Sequence, residues 1–180
     1  MAKRMALYAI SSSASRYKKA IIPLISFNAE FYIRIIFMVK ESPELCMENI
    51  SNHGHILQCR SCQYRKLVNY GAFDTKGDKK AKFRLSSYES LPEKCPVCEG
   101  PTILVGPFWI GGLHNEEFLV NLGENLKKDE YQYLKYNKRI VSIINRMTDE
   151  MELEKEPFTY SYSQLCSDVN ISAPKLGILK

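Results

Sequence analysis

Two Cys-x-x-Cys pairs, Cys59-Arg60-Ser61-Cys62 and Cys95-Pro96-Val97-Cys98, stand 32 residues apart and constrain this chain more than any other feature. A two-residue spacer lets two thiolates point from one tight turn into a single tetrahedral site, and a second such turn completes four-coordination. With four sulfur ligands no position remains for a water to be activated, so the site is structural and the expected ion is zinc. In small peptides binding of this kind contributes on the order of 10–16 kcal/mol, which becomes folding energy for the loops it joins. A redox pair would need one depressed thiol rather than two pairs in register. An iron–sulfur cluster is chemically open to four cysteines, but two symmetrical turns favour zinc. His53 and His55, just upstream, are reserve ligands that four cysteines make unnecessary. Cys46 and Cys166 stand alone and read as ordinary thiols.

Six cysteines in 180 residues are too few and too clustered for a disulfide scaffold, and the paired spacing points to metal in a reducing compartment. Hydrophobic content of 45% and charged content of 25% allow one large domain with a buried core. The net charge of +5 is uneven: residues 1–98 hold 16 Lys/Arg against 8 Asp/Glu, whereas residues 99–180 hold 9 against 12. A basic half joined to a mildly acidic half suggests a polyanionic partner for the first.

Ala20 to Val39 is apolar enough to suggest a membrane span, but Glu30 and Arg34 interrupt it. Each would cost roughly 2.5–3.5 kcal/mol at bilayer depth, so the stretch is not read as a span. The acid-free first 29 residues, with four serines in Ser11–Ser15, also resemble an organelle transit peptide. A surface helix has the same composition and is the preferred reading.

Periodicity predicts a helix over Ala2 to Lys19, with Met5, Ile10 and Tyr17 on its inner face and Pro23 as its stop. Phe31, Ile33, Ile35 and Phe37 alternate with mostly apolar neighbours, which predicts a strand covered on both faces and ended by Ser42-Pro43. Val68 to Leu91 reads as a loop or loose hairpin, and Ile103 to Val105 as a short strand. Asn115 is a candidate N-cap, with Glu116 and Glu117 in the first turn where the helix dipole favours them. A second helix is expected from Asn137 to Met151, followed by the acidic run Asp149 to Glu156. A small helical unit near Tyr160 to Val169, with Ser163 as a cap, and a further helix at Lys180 complete the prediction.

Between and around the cysteine turns lie Arg60, Arg65, Lys66, Lys76, Lys79, Lys80, Lys82 and Arg84, interleaved with Tyr64, Tyr70, Phe73 and Phe83. Lys and Arg neutralise phosphates and release counterions, while aromatics stack on unpaired bases. We take Arg60, Lys66, Lys79, Lys80, Lys82 and Arg84 as candidate RNA-binding residues; the competing reading is a solvated basic hairpin with core aromatics. Trp109 reads as a core anchor rather than a stacking platform. His114 reads as a structural histidine before a helix.

Three blocks together resemble the C-terminal portion of the tRNA guanine N2-dimethyltransferases, a family that methylates the guanine at position 26 of tRNA. They are Tyr17 to Val39 (YKKAIIPLISFNAEFYIRIIFMV), the two cysteine turns, and Gly106 to Asn115 (GPFWIGGLHN). Glu30 and Asn115 stand where the family usually has aspartate, and Gly112 where it has proline. The resemblance implies an α+β chain: residues 1–48 as the orphaned tail of a methyltransferase-type α/β sheet, and residues 49–180 as a zinc-containing, mostly helical, tRNA-contacting domain. It implies S-adenosylmethionine as cofactor of the full-length enzyme only, because no G-x-G turn and no Asp before Pro occurs here. No catalytic or cofactor-binding residue is therefore assigned, and the chain alone is expected to be inactive.

The resemblance further implies a fragment or truncated product, with Met1 standing where a longer N-terminal domain would join. Its partners would be tRNA and a separate methyltransferase-domain polypeptide, in nucleus, cytosol or mitochondrion. An unneighboured strand at Phe31 to Val39 would then invite aggregation. The alternative function is a stand-alone zinc-ribbon module that binds RNA, or a protein partner through its acidic half.

Overall fold

The structure, a computed structural model, describes residues 1–29, 31–74, 82–86, 91–131, 133–151, 161–168 and 170–172. Helix α1 covers Ala2–Ser15. It stops well short of Pro23, because Lys18 takes a left-handed φ of 57° and turns the chain into strand β1, Lys19–Ala29. Strand β2, Tyr32–Glu41, pairs antiparallel with β1 from Lys19↔Glu41 to Ala29↔Tyr32. Pro23 sits inside β1 at a register shift between Pro23 and Ile25, a place where a missing N–H is tolerated.

The buried residues of α1 are Arg4, Leu7 and Ser11; of the three expected inner residues, Ile10 packs against the Leu7 cluster and the other two do not. Met5 and Tyr17 are 56% and 74% exposed. Apolar spacing finds this face only in part, because two of its three buried positions are polar. Both are hydrogen-bonded: Arg4 Nη1 donates to the Trp109 and Gly111 carbonyls, and Ser11 Oγ meets His53 Nε2 at 2.9 Å. Strand β2 also departs from expectation. It is paired along its length, not orphaned, but Tyr32, Ile33, Ile36, Met38 and Val39 are exposed. Only Ile35 and Phe37 pack inward, against the Leu7, Ile21, Trp109 and Leu113 cluster.

Ser42-Pro43 ends the strand and also starts a helix, α2, Pro43–Ser51. Ser42 Oγ accepts from the Leu45 N–H at 3.2 Å, and Pro43 occupies the first turn, where its missing N–H costs nothing. From α2 the buried Asn49 side chain bonds both backbone groups of Ile21, at 2.8 and 3.0 Å, and so satisfies the inner edge of β1.

A three-stranded antiparallel sheet of order β4-β3-β7 follows, with β3 His53–Cys59, β4 Arg65–Asn69 and β7 Thr102–Trp109. Ile56 and Leu57, on opposite faces of the central strand β3, are both buried. Strands β5 (Gly71–Asp74) and β6 (Lys82–Leu85) make a separate hairpin, within the segment expected to be a loop or loose hairpin. The expectation of a mostly helical second part therefore holds only beyond residue 115. There α3 (Glu116–Asn125), α4 (Asn137–Met151) and α5 (Tyr162–Asp168) succeed one another. Asn115 caps α3 as its sequence predicts, its Oδ1 accepting from the Phe118 N–H at 2.8 Å. Ser163 lies inside α5 rather than capping it. The acidic run beyond Met151 and the expected helix at Lys180 lie outside the described residues.

Two apolar clusters organise the chain, and each joins residues from both sides of position 48. One combines Ile25 with Leu119, Leu126, Ile144 and Met147; the other combines Leu7 and Ile21 with Trp109 and Leu113. The Asn115 N–H donates to the Leu24 carbonyl at 3.0 Å, which fixes the start of α3 on the β1–β2 hairpin. Among the described residues no helix is long and apolar enough to cross a membrane.

Candidate metal centre

Strand pairing brings the two cysteine turns together. Cys59 is the last residue of β3 and pairs with Thr102, the first residue of β7, so the segment just before β7 falls beside the turn just after β3. In the first turn the Cys59 N–H donates to the Tyr64 carbonyl, and the Arg60 N–H crosses to the Pro101 carbonyl, each at 3.0 Å. In the second, Cys95 N–H donates to Gly100 O and Glu99 N–H to Cys95 O, both at 2.9 Å, while Glu99 takes a φ of 57° to close the turn.

The Sγ atoms of Cys59, Cys62, Cys95 and Cys98 all lie within 4.8 Å of one another, with Cys59–Cys98 at 3.5 Å and Cys62–Cys95 at 3.6 Å. Thiolates about 2.3 Å from a shared zinc would sit roughly 3.8 Å apart at tetrahedral angles, so the observed spacings suit that ion. Backbone N–H groups aim at the sulfurs: Ser61 and Cys62 at Cys59, Tyr64 at Cys62, Val97 at Cys95. Such donors stabilise thiolate over thiol. For Cys59 burial works the other way, but the Ser61 and Cys62 N–H bonds and contacts with Cys98 and Cys62 outweigh it and hold the thiol near 6. Cys62 is pushed up to about 12: the Tyr64 N–H and burial act in opposite senses, and the three neighbouring cysteines raise it. Four sulfurs this close cannot all carry charge unless a cation offsets it, and the set has the softness and count that zinc takes.

His53 and His55 are not among the clustered ligand atoms. His53 instead holds Ser11 and stands edge-on to Tyr8, Tyr70 and Trp109, with centroid distances of 4.8, 6.1 and 5.9 Å. Burial pushes it down to about 4. His114 is buried also, with its Nδ1 3.4 Å from the Ser26 N–H, and burial together with Lys3 and Arg4 lowers it to about 4. Trp109 is 2% exposed and donates from Nε1 to the Gly112 carbonyl at 2.9 Å, the position of a core anchor.

Of the candidate RNA-binding residues, Arg60 follows Cys59, Lys66 lies on β4, and Lys82 and Arg84 lie on β6; all four are exposed. Lys79 and Lys80, with Lys76, fall outside the described residues. Tyr70 is committed elsewhere, its ring 5.2 Å from that of His55 and 6.3 Å from that of Tyr8. Phe73 pairs with Phe83 across the β5–β6 hairpin. Arg60 and Lys66 thus lie by the thiol cluster, whereas Lys82 and Arg84 belong to the hairpin that joins the sheet at its His53 end, and part of the aromatic set is structural.

A family model described as TRM: N2,N2-dimethylguanosine tRNA methyltransferase matches residues 1–180, the whole chain. That match gives no ground for placing the chain at the C-terminal end of the longer enzyme. Similar curated proteins include the tRNA (guanine(26)-N(2))-dimethyltransferase of Drosophila melanogaster, 32% identical over 170 residues that cover 92% of this chain and 29% of that protein. The mitochondrial tRNA (guanine(26)-N(2))-dimethyltransferase of Saccharomyces cerevisiae is 28% identical over 182 residues, 97% of this chain and 32% of its own length. Among solved structures, Trm1 from Pyrococcus horikoshii with S-adenosyl-L-methionine is similar at a TM-score of 0.55 and 14% identity, over 93% of this chain and 40% of that one. At that identity the likeness speaks for the fold alone. The chain spans about a third of the length of these curated relatives.

Proposed function

Because the chain belongs to the N2,N2-dimethylguanosine tRNA methyltransferase family, we propose that it supplies the zinc-stabilised, tRNA-contacting region of a tRNA guanine-N2-dimethyltransferase. The observation that carries this reading is the four-thiol cluster, beside which Arg60 and Lys66 are exposed, with Lys82 and Arg84 exposed on the neighbouring hairpin. Cys59, Cys62, Cys95 and Cys98 would hold one zinc ion, whose role is to fix the two turns and orient the basic residues around them. Residues 1–48 would continue a methyltransferase-type sheet through β2, and residues 49–180 would face tRNA.

Methyl transfer from S-adenosylmethionine to the guanine at position 26 belongs, in this reading, to residues beyond these 180. No G-x-G turn is present to cradle the cofactor, and no Asp-Pro pair to stand beside the target amine. The chain alone, given unmodified tRNA and cofactor, is expected to transfer no methyl group.

Metal analysis should return about one zinc per chain. Titration of tRNA should show an affinity that falls steeply with salt, and Lys79→Gln combined with Lys80→Gln should flatten that dependence. Stripping the metal with a chelator should weaken tRNA binding. Unchanged affinity and unchanged folding after complete zinc removal would overturn the proposal.

A further inference from the structure

The β1–β2 hairpin and α4 enclose an open cleft of about 1020 Å3 whose lining includes none of the candidate metal or RNA-binding residues. Its walls carry Lys3, Arg34, Arg139 and Arg146 against a single carboxylate, Glu150. No carboxylate among the described residues pairs with Arg34, Arg139 or Arg146. Tyr32 and Tyr136 line the same cleft and are 52% and 59% exposed. Each tyrosine has a cation against its ring: Arg34 stands 5.4 Å from the Tyr32 centroid and Lys135 5.5 Å from that of Tyr136.

From these features we propose that the cleft is a second RNA-binding site, which grips the sugar-phosphate backbone of an unpaired tRNA segment and stacks its bases on Tyr32 and Tyr136. The proposal rests on the reading of the chain as tRNA-contacting and gives that reading a site that its zinc-side residues do not include. The volume lies at or beyond the upper end for small-molecule pockets and suits an extended ligand. Four cations to one anion select a polyanion. Tyrosine faces beside cations select one with unpaired bases, since stacking and phosphate neutralisation then act on the same nucleotide. Arg139 and Arg146 follow each other on one face of α4, two turns or roughly 10.5 Å apart, so they reach successive parts of a strand laid along the helix. Met147, the next residue around the helix, belongs to the apolar cluster with Leu119 and Ile25, which joins α4 through α3 to the hairpin. The cleft is therefore built on packed elements rather than on loops.

The test is a titration of a labelled tRNA transcript with the zinc-loaded full chain over a range of salt. It compares the wild type with Arg139→Gln/Arg146→Gln and with Lys66→Gln/Lys82→Gln. Loss of two phosphate contacts should lower the slope of log Kd against log salt by roughly 1.5 and weaken binding about tenfold near 0.1 M salt. All four substituted side chains are exposed, so folding and zinc content should be unchanged. Ultraviolet crosslinking followed by peptide mapping should place RNA on Tyr32 or Tyr136. Wild-type affinity and slope in Arg139→Gln/Arg146→Gln, with weakened binding in Lys66→Gln/Lys82→Gln, would overturn the cleft and leave the zinc-side reading standing. A wild-type chain that binds no tRNA would overturn both.

Discussion

Arg4 and Trp109 stand 105 residues apart, and the Arg4 guanidinium donates to the Trp109 carbonyl at 3.0 Å inside the core. The same nitrogen donates to the Gly111 carbonyl at 2.8 Å. The acceptors are the last residue of β7 and the second residue beyond it, so α1 supplies donors at the strand's end. Replacing Arg4 by Met keeps much of the stem and removes the donors. It should cost roughly 2–4 kcal/mol, because two carbonyls lose their partner. Urea unfolding measures this, and a change below about 0.5 kcal/mol would show that water or a neighbour takes over the bonds.

Acid should destabilise the fold through its buried histidines. His53 and His114 are held at about 4 in the folded chain, chiefly by burial, against 6.5 ordinarily. Between pH 6.5 and 4 the unfolded chain therefore binds more protons than the folded one. Their contribution is intact above 6.5 and is lost as pH falls through that window, on the order of 2–3 kcal/mol for each histidine by pH 4. His53→Gln can still bond Ser11 but does not titrate, so its stability should decline less steeply with acid. Any metal loss in acid would be common to both proteins, and the difference between their curves isolates the histidine. Superimposable pH profiles would remove His53 from the account.

Gly54 marks a close approach between strands. A Cβ there would lie 2.6 Å from the Val68 carbonyl oxygen and 3.2 Å from the Asn69 Cα, both backbone atoms of β4 that cannot rotate away. Gly54→Ala should push β4 off β3 and destabilise the chain by about 1–3 kcal/mol. Thermal unfolding should show a lowered Tm, with the metal content of the purified protein unchanged. An unaltered Tm would mean that the sheet accommodates the methyl group.

The parts legible in sequence are those where one local rule dominates. Asn115 and its two following glutamates place α3 because an N-cap and a helix dipole act over a single turn. The run Asn137–Met151 is helical as its apolar spacing predicts, since Ile144 and Met147 face one cluster. The cysteine spacing singles out four side chains that the fold does bring together. What sequence does not show is long-range exchange. Arg4 and Ser11 occupy the inner face of α1 because their partners, Trp109 and His53, come from distant strands. Pro23 reads as a helix stop, yet pairing with β2 and a register shift make room for it in a strand. Ser42-Pro43 is both a strand end and a helix start, and only the first of these signals is apparent when the segment is read for β-structure alone. The exposure of Ile33, Ile36 and Met38 is likewise invisible to alternation, which says that two faces are apolar but not what lies against them.

Strand β3 begins at His53, which is bonded to Ser11 of α1, and ends at Cys59 among the four thiols. One stiff rod of seven residues thus has an anchor at each tip, the first in an aromatic nest and the second in the thiol cluster. Slack introduced at the sulfur end should travel along the rod and loosen the first helix, some 20 Å away. Amide exchange at Ser11 would then serve as a remote gauge of whether the ion is in place.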